Sequence, residues 1–309
     1  MSAVFLFPGQ GSQQTGMLHH LPDHPIIEAT LHEASEVLEA DIYTLDSERS
    51  LSSTVAVQLA LLISGVATAR ALRAEGASPD LVAGHSVGAF SAAVIANVLE
   101  FKDALYLVKL RAMLMENAYP GGYGMGVVVG LNKRQLSGII QQECTQEEPV
   151  YMANLNAPQQ ITVSGAIAGL ERVFTSARLS GARRAQLLNV SVPSHCQLLN
   201  QVSEELMSAL EKTAIREPIV PYAANVHARI LKDAGAIRTD LALSVAKPVR
   251  WHDATTLLYE LGARLFVEMS PGHVLTGLAA LEFPNARSVS LSNSGFENVK
   301  ILILREKEL

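Results

Sequence analysis

The chain opens on a short apolar run, residues 4–7, and switches at once to a polar glycine loop, Pro8-Gly9-Gln10-Gly11-Ser12-Gln13. Consecutive apolar residues stopped by Pro-Gly predict a buried strand ending in a turn. Across residues 25–40 the period changes. Ile26, Ile27, Ala29, Leu31, Ala34, Val37 and Leu38 recur at helical spacing. Residues 55–69 are apolar on every face, broken by Gln58, Ser64 and Thr68, which predicts a core helix running on through Arg70 and Arg73 to a stop at Gly76. As an apolar run it falls short of the roughly 20 residues of a membrane span. A second apolar strand, Leu81-Val82-Ala83, leads through Gly84-His85-Ser86-Val87-Gly88 into a helix-like run over residues 89–99, and residues 101–118 predict another helix.

Pro120-Gly121-Gly122-Tyr123-Gly124 is the strongest break in the first half, and the pattern changes beyond it. Residues 125–131 read as strand, 133–143 as helix, 150–155 and 160–164 as strands about an Asn156-Ala157-Pro158 turn, 166–178 as helix and 185–192 as strand. That β-α-β-β-α-β order predicts a ferredoxin-like unit. The expected architecture is α/β: an α/β-hydrolase-like large domain over residues 1–123 and 193–309, with a ferredoxin-like subdomain inserted at 124–192. In the last third, 221–226, 264–269 and 287–291 read as strands, and 239–245, 252–261 and 299–309 as helices.

Composition narrows the classes. Of 309 residues 49% are hydrophobic and 17% charged, which describes a soluble globular protein, and the net charge is −6. No Lys/Arg-rich run suggests nucleic acid. Cys144 and Cys196 form neither a disulfide framework nor a metal-ligand spacing, so no metal and a reduced, cytoplasmic setting are expected. The first residues lack the basic start of a signal peptide and read as a strand.

The candidate chemistry gathers at strand ends. Strand, glycine-flanked serine and helix form the arrangement that holds a serine on a tight turn with its Oγ clear of the backbone. Strand and helix cross so closely there that the positions two before and two after must be small, and Gly84 and Gly88 fill them. Composition yields on the order of 0.1 chance matches to that pattern, which favours a catalytic Ser86 over a structural turn. The loop at residues 8–13 either brings backbone N–H groups to a substrate oxygen or simply connects strand to helix. Arg111 interrupts the apolar stripe of Ala104, Leu107, Val108, Leu114 and Met115. Its guanidinium either snorkels out, pairs with an internal carboxylate, or awaits an anion. Ser194 with Gln197 predicts a capping box for a helix through Leu210. His195 then lies in the first turn, where the positive helix end keeps imidazole neutral, either as a base or as a structural histidine. Cys196 is expected to pack inward.

Five ordered motifs carry a resemblance over residues 4–280. They are Phe7-Pro8-Gly9-Gln10-Gly11-Ser12-Gln13, Gly84-His85-Ser86-Val87-Gly88, Leu110-Arg111-Ala112-Met113-Leu114-Met115, Ser191-Val192-Pro193-Ser194-His195-Cys196 and Pro271-Gly272-His273-Val274-Leu275-Thr276-Gly277-Leu278. Together they resemble the malonyl-CoA:acyl-carrier-protein transacylases. A narrower resemblance, carried by Ala89-Phe90 and Thr54-Val55-Ala56-Val57-Gln58-Leu59-Ala60, is to the malonyl transferase subunit of malonate decarboxylase. The fatty-acid-synthesis members usually have glutamate at the position of Ala89 and glycine at that of Ala112. The resemblance implies Ser86 as nucleophile and His195 as base in a dyad, with the ring oriented by a backbone carbonyl mapped to Arg250. It implies backbone N–H groups of Gln10 and Val87 as oxyanion hole, Arg111 on the malonyl carboxylate, and Asn154 and Asn156 as pocket lining. No bound cofactor is implied; a coenzyme A thioester is the substrate. The implied partner is an acyl carrier protein, with a phosphoribosyl-dephospho-coenzyme A arm and further subunits if the decarboxylase assignment holds.

An anionic carrier on a net acidic chain requires a local basic patch. The candidates are Lys133-Arg134, Arg178 and Arg183-Arg184; scattered solvated charge is the alternative. Two rivals stand beside this reading: the malonyl loader of fatty-acid synthesis, and a serine esterase that would need an acid such as Asp103, Glu143 or Glu171 behind the histidine.

Overall fold

A computed structural model describes residues 2–308. Ten strands form two separate sheets: β1 Ser2–Phe7, β2 Leu81–Gly84, β3 Tyr123–Val129, β4 Val150–Ala157, β5 Gln160–Ala166, β6 Arg184–Leu187, β7 Tyr222–Ala223, β8 Ile230–Leu231, β9 Ala263–Glu268 and β10 Arg287–Ser290. The larger sheet has the order β10-β9-β1-β2-β7-β8, parallel except at its last pair. The smaller is wholly antiparallel in the order β4-β5-β3-β6. With helices Lys133–Glu143 and Ile167–Leu179 between its strands, that order is the ferredoxin-like arrangement.

β1 is the central strand of a sheet covered on both faces, which is why it is apolar without a break. Ala3, Phe5 and Phe7 enter one core; Val4 and Leu6 enter the other. The first core includes helix Thr54–Ala74, apolar all round because it is buried all round. It runs past Arg70 and Arg73 as expected, and at 21 residues it is long and apolar enough to cross a membrane, yet 89% of its most apolar window is buried inside the protein. The small sheet has its own core around Val128, Leu136, Leu170 and Phe174. Its edge strand joins the large domain through backbone bonds: Leu155 N–H donates to Val249 O at 2.8 Å, and Val249 N–H to Ala153 O at 2.9 Å.

Several elements differ from the sequence reading, each for a local reason. The expected strand 185–192 stops at Leu187 and continues as irregular chain toward the large domain. The expected strand 221–226 shortens to Tyr222–Ala223, because Asn225 and Val226 turn their N–H groups to the Asp240 carboxylate. The expected helix 239–245 begins at Ala234, where Asp233 caps it by accepting from Ala236 N–H. Helix Val274–Glu282 follows the 270–273 turn without having been anticipated.

The register pairs Phe7 with Gly84, so the loop after β1 and the turn after β2 emerge side by side. A Cβ on Gly84 would lie 2.1 Å from Gly88 backbone atoms, and one on Gly88 would lie 2.2 Å from Phe7 O. Both positions therefore exclude every side chain. By contrast, a Cβ on Gly138, inside helix Lys133–Glu143, meets nothing within 4 Å. Gly84→Ala should cost about 1–3 kcal/mol or more through overpacking, whereas Gly138→Ala should hold or raise the melting temperature. Thermal melts of the two variants check this, and equal melting temperatures would contradict it.

Candidate active site

Ser86 sits at the tip of the β2 turn in a left-handed conformation, φ 57°. Such backbone costs a non-glycine residue roughly 1–2 kcal/mol. What it achieves is direction: Ser86 Oγ lies 2.8 Å from His195 Nε2. His195 is only 2% exposed, and its Nδ1 lies 2.5 Å from Ser244 O. A carbonyl can only accept, so Nδ1 carries the proton and Nε2 presents its lone pair to the hydroxyl. Burial first, and the nearby Arg111 charge second, lower the imidazole pKa from its ordinary value to about 3.

Two expectations about this histidine are corrected. The orienting carbonyl belongs to Ser244, not Arg250. Arg250 stands at the start of helix Trp251–Glu260, where its carbonyl accepts from Ala254 N–H. Nor does a capping box place His195 in a helix. His195 has φ 63°, helix Asn200–Glu211 begins after a short 3-10 turn, and Ser194 Oγ turns back toward Val192 O. The ring is kept neutral by burial and by Arg111 rather than by a helix end. Because a carbonyl occupies Nδ1, no carboxylate completes the triad that the esterase reading requires.

Arg111 is fully buried in helix Phe101–Ala118, behind Ser86 and Gln58, which line the cleft. Its Nη1 donates to Gln58 Oε1 at 2.5 Å and its Nη2 to Ser86 Oγ at 3.2 Å, while Nε has no partner among the described residues. Both acceptors are neutral. Burial lowers the guanidinium pKa to about 10, which leaves it charged at neutral pH. The snorkelling and internal-pair alternatives are therefore absent, and what remains is a desolvated cation open to an anion.

A cleft of about 380 Å³ opens above these groups between the two sheets. Gln10 lies on one wall, and Asn154, Asn156 and Arg184 on the other. Asn154 is nearly buried and its Oδ1 is unpartnered. Asn156 accepts from His85 Nε2 at 3.0 Å, tying the small sheet to the turn. Among the described residues the N–H groups of Gln10 and Val87 have no acceptor, while Ser86 N–H is taken by Asn225 Oδ1 at 3.0 Å. Asn225 went unnoticed in the sequence, where it is one asparagine in a featureless stretch. Cys196 is buried, with its thiol against Pro193 O. Among the described residues no group of side chains could hold a metal ion.

Residues 4–289 match the family described as the acyl transferase domain. Malonyl CoA-acyl carrier protein transacylases are similar along nearly their whole length. That of Salmonella typhimurium is 36% identical over 94% of this chain and 98% of its own. That of Bacillus subtilis is 35% identical over 99% and 97%. The solved transacylase of Coxiella burnetii superposes with a TM-score of 0.93 at 34% identity, covering 99% of this chain and 98% of that one. A malonyl-transacylase solved with a type II PKS acyl-carrier protein gives 0.92 at 36%, covering 99% and 100%.

An imidazole with a pKa of about 3 is neutral throughout the range in which an ordinary histidine titrates. Modification of Ser86 by a fluorophosphonate should therefore show no inflection near pH 6.5 between about pH 5 and pH 8. Half-loss of the rate near 6.5 would mean that the ring is solvated and ordinary.

Proposed function

The chain belongs to the acyl transferase domain family and is an acyltransferase, and on that premise we propose that it carries malonyl groups from malonyl-CoA to an acyl carrier protein through an ester on Ser86. The observation that carries this reading is the buried Arg111 guanidinium 3.2 Å from Ser86 Oγ. In a malonyl unit one carbon separates the reacting carbonyl from the free carboxylate. A cation beside the nucleophile fits that spacing and misfits longer diacids.

Each step uses groups already described. His195 Nε2 takes the Ser86 proton as Oγ attacks the thioester carbonyl. The developing oxyanion is received by the backbone N–H groups of Gln10 and Val87, where loss of one donor typically costs on the order of 10²–10³ in rate. The coenzyme A sulfur leaves with the proton from His195. Malonate stays as the serine ester, its carboxylate forked by Arg111. The carrier thiol then gives its proton to His195 and attacks the ester; His195 returns that proton to Ser86 Oγ as the C–O bond breaks, and the product departs as a malonyl thioester.

Arg111 acts on selectivity twice. It offers the carboxylate a desolvated partner, and it disfavours imidazolium on His195. A malonyl carboxylate offsets that charge when the ring must take up a proton; an acetyl group does not. In Ser86→Ala the mass gain of one malonyl group after mixing with malonyl-CoA should vanish. In Arg111→Ala the preference for malonyl over acetyl loading should fall by at least about 10²-fold. Intact-protein mass spectrometry reads both, and a malonyl adduct on Ser86→Ala would end the proposal.

The finer question is which carrier. The similarity to transacylases supports a carrier of the fatty-acid-synthesis type ahead of the malonate decarboxylase subunit, whose case rests on Ala89-Phe90 and residues 54–60. Among the basic candidates, Arg184 lines the cleft mouth and Arg183 adjoins it, exposed, while Arg178 donates to Ala185 O and Lys133 and Arg134 are solvated. Arg183→Glu with Arg184→Glu should raise the KM for carrier severalfold with kcat little changed. Loading assays with a phosphopantetheine carrier and a phosphoribosyl-dephospho-coenzyme A carrier measure that effect and rank the two. An unchanged KM removes the patch.

A further inference from the structure

The turn that bears Ser86 is gripped from a third strand. Asn225 lies just past β7, 3% exposed. Its Oδ1 accepts Ser86 N–H at 3.0 Å and its Nδ2 donates to Gly84 O at 2.9 Å. One side-chain amide thus brackets His85, holding the two peptide groups that lead into the strained Ser86. The orientation is fixed by chemistry, since a flipped amide would set donor against donor and oxygen against oxygen.

Asn225 is itself held on every side. Its own N–H and that of Val226 donate to the Asp240 carboxylate at 3.1 and 2.9 Å. Tyr222 OH donates to the same carboxylate at 3.0 Å. Asn225 O accepts Arg250 N–H at 2.8 Å. Asp240 and Tyr222 are buried as well, so the network has no solvent to substitute for a lost member.

We propose that Asn225, fixed by Asp240 and Tyr222, is a positioning residue for the Ser86 nucleophile: it clamps the left-handed turn so that Oγ meets His195, and it occupies the Ser86 N–H so that the oxyanion falls to Gln10 and Val87. The proposal rests on the reading of Ser86 as nucleophile. Aspartate at 225 sets a carboxylate oxygen against Gly84 O, alanine leaves both peptide groups unpaired in a dry site, and glutamine is too long to reach both. A displacement of about 1 Å in a reacting group can cost on the order of 10² in rate.

The test compares Asn225→Ala, Asn225→Asp and Tyr222→Phe with wild type in three measurements. They are the second-order rate of Ser86 labelling by a fluorophosphonate, kcat for malonyl transfer, and the Kd for malonyl-CoA in a Ser86→Ala background. For both Asn225 variants, labelling and kcat should fall together by about 10- to 100-fold, with Kd little changed; Tyr222→Phe should lower both less. Unchanged labelling and kcat overturn the proposal, as does a Kd that weakens by the same factor, which would mean general collapse of the cleft. Should Asn225→Ala fail to fold, the near-isosteric Asn225→Asp and the remote Tyr222→Phe are judged by the same criteria. Wild-type protein that resists labelling at Ser86 overturns the nucleophile reading itself, and the clamp with it.

Discussion

Everything at the site follows from how closely β2 and the helix after it approach each other. With a Gly84 Cβ only 2.1 Å from Gly88 backbone atoms, the chain can reverse there only through bare backbone. That reversal forces Ser86 into left-handed geometry and throws its Oγ outward toward His195. The parallel register sets the β1 loop, with Gln10 on the cleft wall, beside the same turn without any dedicated element. Three strand ends meet around the turn: the loop after β1 carries Gln10, the turn after β2 carries Ser86, and the chain past β7 carries Asn225, which holds the Ser86 N–H.

The second determinant is burial. Arg111 is wholly buried and its partners are neutral, so its charge is compensated only by hydrogen bonds. The same dryness holds His195 neutral and makes each backbone donor count for more than it would in solvent. Cation and base oppose each other across a few ångströms. In the transfer proposed above, an incoming carboxylate relieves that opposition, which makes substrate charge part of the catalytic balance rather than only a means of holding on.

The sequence was informative wherever one residue type was forced by steric or dielectric limits. Gly84 and Gly88 marked the turn, and the helical stripe marked Arg111 as out of place. The small unit's order of elements was readable because short apolar runs are separated by two helical periods and one Pro-containing turn; Asn132 and Gln135 cap the first helix reciprocally. Where a role is played by backbone, the sequence was silent. Ser244 serves through its carbonyl, so no side chain advertised it, and Arg250 drew the assignment wrongly. Asn225 escaped because its function depends on contacts with residues 139 and 141 positions away. His195 was carried by the resemblance; the helix-end reason for its neutral ring does not hold, since the helix cap beside it is not formed.

The backbone splice between Val249 and the edge strand of the small sheet has a mechanical consequence. Val249 closes the segment that begins at Ser244, so the wall of the cleft and the loop steering the imidazole belong to one covalently short, hydrogen-bonded piece. Prising the two lobes apart would break both joining bonds and drag on the histidine's anchor at the same time. On the proposed transfer, the catalytic pair therefore stays aligned while one acyl bearer is exchanged for the next.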